Sequence, residues 1–237
     1  MHDIASVPVA LLAGGLATRL RPITETIPKA MVDIDGRPFI DHQLDLLARN
    51  GIRRVVMCLG YLGEQVQRQV GDGSARGVHI AYSFDGDKLM GTGGAVKRAA
   101  GLLHQRGTGD TFWVMYGDSY MDIDYRAVLD AFGRAVRESD ALGLMTVLRN
   151  GNRWDKSNVV FRDGRLVRYD KRNQTPDMDY IDYGVALRRV IASGCRQAPA
   201  GRRWTSTSRM PLRCWWTIRP PTTRCLSAVR SEPERRC

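Results

Sequence analysis

The chain has 237 residues, of which 43% are hydrophobic and 26% charged, enough for one domain with a full core. No apolar run reaches the roughly 18 residues that span a bilayer, and no basic stretch followed by a long apolar one opens the chain, which predicts a cytoplasmic protein with no membrane partner. The net charge is +11, but residues 193–237, with ten Arg, no Lys and two Glu, carry +8 of it; the body is nearly balanced, which argues against a nucleic-acid partner.

In chain order, VPVALLA (7–13) is a short apolar run that predicts a buried strand. PFIDHQLDLLARNG (38–51) has helical spacing, with Phe39, Leu44 and Leu47 on one face and Gly51 as a stop. RRVVMCLG (53–60) predicts a strand, GEQVQRQVG (63–71) a short helix and VHIAYSF (78–84) a strand. GAVKRAAGLL (94–103) predicts a helix, TFWVMYG (111–117) a strand, DYRAVLDAFGRAVRES (124–139) a helix and ALGLMTVL (141–148) a strand. Such alternation implies an α/β fold: a Rossmann-like, mostly parallel sheet with helices on both faces. After Arg149 the rhythm changes, because NVVFRDGRLVRYDK (158–171) is two short runs around Asp163-Gly164, a hairpin signal. A small antiparallel lobe therefore follows the parallel half.

The stretch AGGLATRLRPITETIPK (13–29) places Gly14 and Gly15 at the carboxyl end of the first strand, where open sheets of this type collect ligands. It has neither the G-x-G-x-x-G spacing of a dinucleotide fold nor the G-K-[ST] of a P-loop. Pro22 and Pro28 oppose a helix, so a long loop is predicted where connections usually run about 4 to 6 residues. Its glycines free backbone N–H groups for phosphate oxygens, while Arg19, Arg21 and Lys29 supply charge.

LAGGLATRLRPITETIPKAM resembles the signature of the sugar-1-phosphate nucleotidyltransferase family, with Gly14, Gly15, Thr18, Arg19, Leu20, Pro22, Thr24, Pro28 and Lys29 in register. Ala17 stands where that family carries a third glycine, and its methyl group narrows the allowed backbone angles. The resemblance extends from residue 8 to about 190 and is strongest toward the D-glycero-D-manno-heptose 1-phosphate guanylyltransferases. It implies that Leu12, Ala13, Gly14, Gly15 and Thr18 bind a nucleotide and that Arg19 and Lys29 act on its phosphates.

In FWVMYGDSY (112–120) a strand ends at Gly117-Asp118, where a carboxylate can hold Mg²⁺ on a triphosphate; the resemblance makes Asp118 the metal ligand. Asp122 and Asp124 are weaker candidates, and Asp124 also suits a helix cap. Gly91, Thr92, Gly93 and Gly94 precede a predicted helix, either as a flexible entry capped by Thr92 or, by the resemblance, as the loop that reads the nucleobase. In the same way Lys171, Asp170, Asp182 and Gly184 are implied to hold the sugar phosphate, with Asp170 standing where the family has Glu. The four histidines have no metal-ligand spacing.

The expected activity joins a nucleoside triphosphate, foremost GTP, to a heptose or mannose-type sugar 1-phosphate, with Mg²⁺ as cofactor and pyrophosphate released. A nucleotide-sugar binding or regulatory protein of the same fold, without turnover, is the other reading. Strand and helix periodicity stop near Ala192, and residues 193–237 hold half of the prolines, three of five Trp and four of five Cys. That composition predicts a domain over 1–192, then a basic tail without regular structure, read as frameshifted in preference to the alternative of a native basic tail. The tail stands where the family carries further elements and a second acidic ligand, so little or no activity is expected.

Overall fold

The computed structural model describes residues 3–104 and 109–189 and, for the backbone alone, 215–218. By their contacts the described residues fall into two compact units, the first holding 3–104, 109–122 and 185–189 and the second 123–184.

The first unit opens with strand β1 (Val9–Leu12). Three single turns of 3₁₀ helix follow, Thr18–Leu20, Ile23–Glu25 and Lys29–Met31. Pro22 and Pro28 stand immediately before the second and third, so the predicted irregular loop is a series of turns that proline interrupts. β2 (Asp33–Ile34) and β3 (Arg37–Pro38) form a two-stranded antiparallel ribbon, and then come α1 (Phe39–Arg49), β4 (Arg54–Leu59), α2 (Gly63–Val70), β5 (His79–Phe84), α3 (Gly91–Leu103) and β6 (Thr111–Tyr116).

The strands lie in the order β5-β4-β1-β6, all parallel, with Val9 in register with both Val55 and Trp113. Parallel strands must be covered on both faces, and β1 is apolar throughout for that reason: Val9, Ala10 and Leu11 are fully buried. α3 packs on this sheet through Ala95, Ala99 and Leu103, which meet Ala10, Val56, Cys58 and Phe112. A final strand, β10 (Tyr180–Arg189), adds residues 185–189 antiparallel to β6.

The second unit contains α4 (Tyr125–Ser139), β7 (Gly143–Arg149), β8 (Val159–Arg162), β9 (Arg165–Tyr169) and the first half of β10. The hairpin between β8 and β9 turns at Asp163 and Gly164, both with positive φ (49° and 77°), as a two-residue primed turn requires. Its core joins Met145, Val147, Val159 and Leu166 to Phe161, Tyr169 and Tyr180.

Most of the tail lies outside the described residues. The exception corrects the expectation of no regular structure: the backbone of Trp215–Ile218 forms β11, parallel to β7 and antiparallel to β9. Trp, Thr and Ile are residue types that favour strands, whatever the origin of the segment. Among the described residues no helix is long and apolar enough to cross a membrane.

Candidate functional site

The carboxyl ends of β1, β4 and β6 meet through glycines. A Cβ on Gly14 would stand 2.9 Å from the Gly60 nitrogen, and one on Gly60 would stand 2.6 Å from the Gly14 oxygen. The turns after β1 and β4 therefore touch backbone to backbone. Gly117, after β6, is as tight against Ala13, and its N–H donates to the Leu12 carbonyl at 2.8 Å. A cavity of about 330 Å³ opens here, lined by Leu12 to Gly15, Ala17, Lys29, Cys58, Asp85, Gly91, Thr92, Ala95 and Tyr116 to Asp118 among others.

The loop after β1 is pinned along its length. The buried Thr24 hydroxyl donates to the Ala17 carbonyl at 2.9 Å, Tyr61 Oη donates to the Glu25 carbonyl at 2.8 Å, and Gln65 Nε2 donates to the Thr26 carbonyl at 3.0 Å. Ala17 sits in the left-handed region at φ 46°, ψ 44°, a conformation in which its methyl group is strained. The loop ends by delivering Lys29 to Asp118, Nζ to Oδ2 2.8 Å, with both side chains about half exposed. Thr18 and Arg19 are exposed on the first 3₁₀ turn, outside the cavity lining, and Arg19 makes no ion pair among the described residues.

The helix over 94–103 begins earlier than its periodicity indicates, at Gly91, so the four residues from Gly91 to Gly94 form its first turn. Met90 occupies the N-cap position and Thr92 does not act as a cap; the Met90 N–H instead donates to Asp85 Oδ2 at 3.0 Å, and Gly91 turns the chain at φ 66°. The first-turn N–H groups of a helix have no partner within it, and Gly91 and Thr92 line the cavity while Gly93 and Gly94 do not. Cys58 lies against this turn, 3.9 Å from the Ala95 carbonyl. Burial first, then the neighbouring Asp85 charge, pushes its thiol up to about 12, so it stays protonated at neutral pH.

Of the acidic candidates, Asp118 is in the cavity, Asp122 is exposed outside its lining, and Asp124 caps α4 by accepting the Ala127 N–H at 2.9 Å. No group of three or more His, Cys, Asp or Glu side chains suited to a metal occurs among the described residues. A lone carboxylate fits Mg²⁺, which is commonly held by one or two carboxylates together with substrate phosphates and water.

The residues expected at the sugar phosphate lie in the second unit. The Asp182 side chain is only 8% exposed, and its Oδ2 accepts from Tyr169 Oη at 3.1 Å and faces Lys171 Nζ at 3.5 Å, while its Oδ1 accepts the Gly184 N–H at 3.0 Å. Asp170 is engaged by its own turn: Oδ1 accepts the N–H groups of Asn173 and Arg172, both at 2.9 Å, which hold the carboxyl at about 2.

Sequence reasoning passed over three residues here. Asp85 ends an apolar strand just as Asp118 does, a signal present in YSFDG (82–86). Gly60 also ends a strand. Gln43 is fully buried in α1 and donates through Nε2 to the carbonyls of Tyr116 at 2.9 Å and Ser119 at 2.8 Å; its only sequence signal is a polar residue within an apolar helical stripe.

The profile of the family described as nucleotidyl transferase matches residues 9–153. The chain is 39% identical over 117 residues to the N-acetylmuramate alpha-1-phosphate uridylyltransferase of Neisseria meningitidis serogroup B, covering 49% of each chain. It is 29% identical over 163 residues to the D-glycero-alpha-D-manno-heptose 1-phosphate guanylyltransferase of Aneurinibacillus thermoaerophilus, covering 68% of this chain and 66% of that one. The structure of HddC from Yersinia pseudotuberculosis complexed with GMP-PN superposes with a TM-score of 0.61 at 25% identity, over 77% of this chain and 76% of that one. Several of the curated relatives are matched over half of their length or less.

Proposed function

Because the chain belongs to the nucleotidyl transferase family, we propose that it transfers a nucleotidyl group from a nucleoside triphosphate to a sugar 1-phosphate, with GTP and a heptose- or mannose-type sugar as the preferred pair. The observation that carries this reading is the cavity in which glycine backbone, an exposed helix N-terminus and the Lys29–Asp118 pair converge. Glycine N–H groups and the first turn of α3 suit phosphate oxygens or a base edge. No general base is needed, because a phosphate monoester has its second pKa near ~6 and arrives ionised. Its oxygen bonds to the α-phosphorus as the bond to pyrophosphate breaks, and Lys29, joined by Arg19, neutralises the charge that builds on the oxygens. Asp118 would hold Mg²⁺, whose chemistry when bound is to neutralise phosphate charge and orient the triphosphate.

The preference for GTP is supported by Asp85. Its carboxylate lines the cavity with one oxygen spent on the Met90 N–H, and a guanine offers adjacent N1–H and N2–H₂ donors to such an acceptor. Adenine and the pyrimidines offer no such pair. The test is to incubate the protein with each of the four triphosphates and a panel of sugar 1-phosphates, following pyrophosphate, with calorimetry of each triphosphate alongside. Pyrophosphate from a GTP pair is expected, and Asp85→Asn should narrow the preference for GTP by roughly 10- to 100-fold. Tight binding without pyrophosphate from any pair would replace the transferase reading with a nucleotide-binding one.

A further inference from the structure

Gln43 is fully buried, on the same stripe of α1 as Ile40, Leu44 and Leu47. A polar side chain there is costly unless its hydrogen bonds are made. Its Nε2 makes two, to the carbonyls of Tyr116 and Ser119, but its Oε1 is buried without a partner, and such an orphan typically costs about 1–3 kcal/mol. An apolar residue would spare that orphan but take the donor from both carbonyls, so the task of the amide lies at the two carbonyls it reaches.

Those carbonyls bracket Asp118. The turn from Tyr116 to Ser119 closes on itself through the Ser119 N–H, which donates to the Tyr116 carbonyl at 3.2 Å. On its β1 side the turn is fixed by Gly117 against Ala13 and Leu12. On its α1 side the contact that holds both ends is Gln43. The Asp118 side chain itself is half exposed, with Lys29 on Oδ2 and the Ser119 hydroxyl 3.4 Å from Oδ1, so its carboxylate is aimed chiefly by its backbone.

We propose that Gln43 is a positioning residue for Asp118: by clamping the Tyr116 and Ser119 carbonyls it sets where the carboxylate is presented to a Mg²⁺–nucleotide and to Lys29. The proposal rests on the reading of Asp118 as the residue that holds Mg²⁺. It assigns a burial cost in α1 to the geometry of the cavity, since freeing the turn would let the carboxylate sample positions that no longer meet the metal.

The test is calorimetric titration of GTP into the whole chain at a series of Mg²⁺ concentrations. Gln43→Met keeps the volume and removes both donors and the orphaned oxygen, so folding should survive. The Mg²⁺ concentration for half-maximal GTP binding should rise about 10-fold, the lower end of what loss of an outer-shell partner costs. Affinity at saturating Mg²⁺ should recover, a split that loss of packing alone does not produce. Leu44→Val, a core change on the same helix, is the structural control and should leave the midpoint in place. Should Gln43→Met not fold, Gln43→Asn, which is too short to reach both carbonyls, carries the same expectation. An unmoved midpoint in a folded variant, or an equal shift in Leu44→Val, overturns the proposal. Asp118→Asn, run beside them, separates the two failures: if it too leaves the midpoint unmoved, the reading of Asp118 fails and the role of Gln43 with it.

Discussion

Lys29 Nζ and Asp118 Oδ2 stand 2.8 Å apart although 89 positions separate them in the chain. One comes from a proline-interrupted loop and the other from a strand end, and both side chains are 41–44% exposed. Exposed ion pairs typically contribute only about 0–1 kcal/mol, so the pair does little for the fold. Its chemistry is that of a cation and a carboxylate held at the mouth of a cavity, each with a phosphate or a metal as an alternative partner.

Lys29→Ala should therefore leave the melting temperature nearly unchanged and lower turnover by orders of magnitude, the loss of a transition-state charge partner typically being about 2.7–4 kcal/mol. Arg19→Ala is expected to do the same, although Arg19 lies outside the cavity lining, because its long exposed side chain can fold over bound phosphates. Thermal melts beside pyrophosphate release, in a form of the enzyme that turns over, decide the matter. Turnover within about threefold of the unsubstituted protein would leave the loop with a structural role alone.

For Asp118→Asn the expected signature is different. The amide keeps the shape and can still accept from Lys29, but it loses the charge that holds Mg²⁺. Mg²⁺-dependent turnover should collapse while nucleotide affinity measured by calorimetry falls much less. Equal turnover at ordinary Mg²⁺ concentrations would move the metal to another carboxylate, and Asp122 is the next to test.

Ala17 holds the left-handed conformation that costs a non-glycine residue roughly 1–2 kcal/mol. Ala17→Gly removes that strain at a smaller cost in chain entropy, so a net gain near 1 kcal/mol is expected. For a chain of this size it amounts to a rise in melting temperature of about 2–4 °C. Calorimetric melting measures it directly, and a fall in melting temperature would mean that the loop does not hold this angle in solution.

Cys58 links stability to alkaline pH. Its folded pKa, about 12, is above the ordinary value of 9.0 because burial, and secondarily Asp85, disfavour the thiolate. The stabilisation is full below pH 9 and is lost as pH rises toward 12, at about 1.4 kcal/mol per pH unit. Melts of the unsubstituted protein and Cys58→Ala from pH 8 to 11 should converge as pH rises, since only the former loses this contribution. Parallel curves would show that the thiol ionises in the folded protein as freely as in the unfolded one.

Local pattern was enough for the parallel half of the fold. The apolar runs at 7–13, 53–60 and 111–117 read as buried strands, and glycines at their ends mark where backbones approach. The sequence put Gly14 and Asp118 at strand ends and Lys29 in a long loop, while their roles were implied by the family resemblance. Tertiary structure alone decided that Lys29 meets Asp118 and that Gln43 grips the turn from Tyr116 to Ser119, because contacts between distant segments leave no periodicity in either. It also decided where α3 begins. A glycine run reads as a loop by propensity, but the Asp85 carboxylate on the Met90 N–H and the left-handed Gly91 start the helix one turn earlier. Tertiary structure also decided that Asp170, which the family resemblance implies at the sugar phosphate, turns its Oδ1 to two backbone N–H groups a few residues on, because a short carboxylate reaches its own turn first.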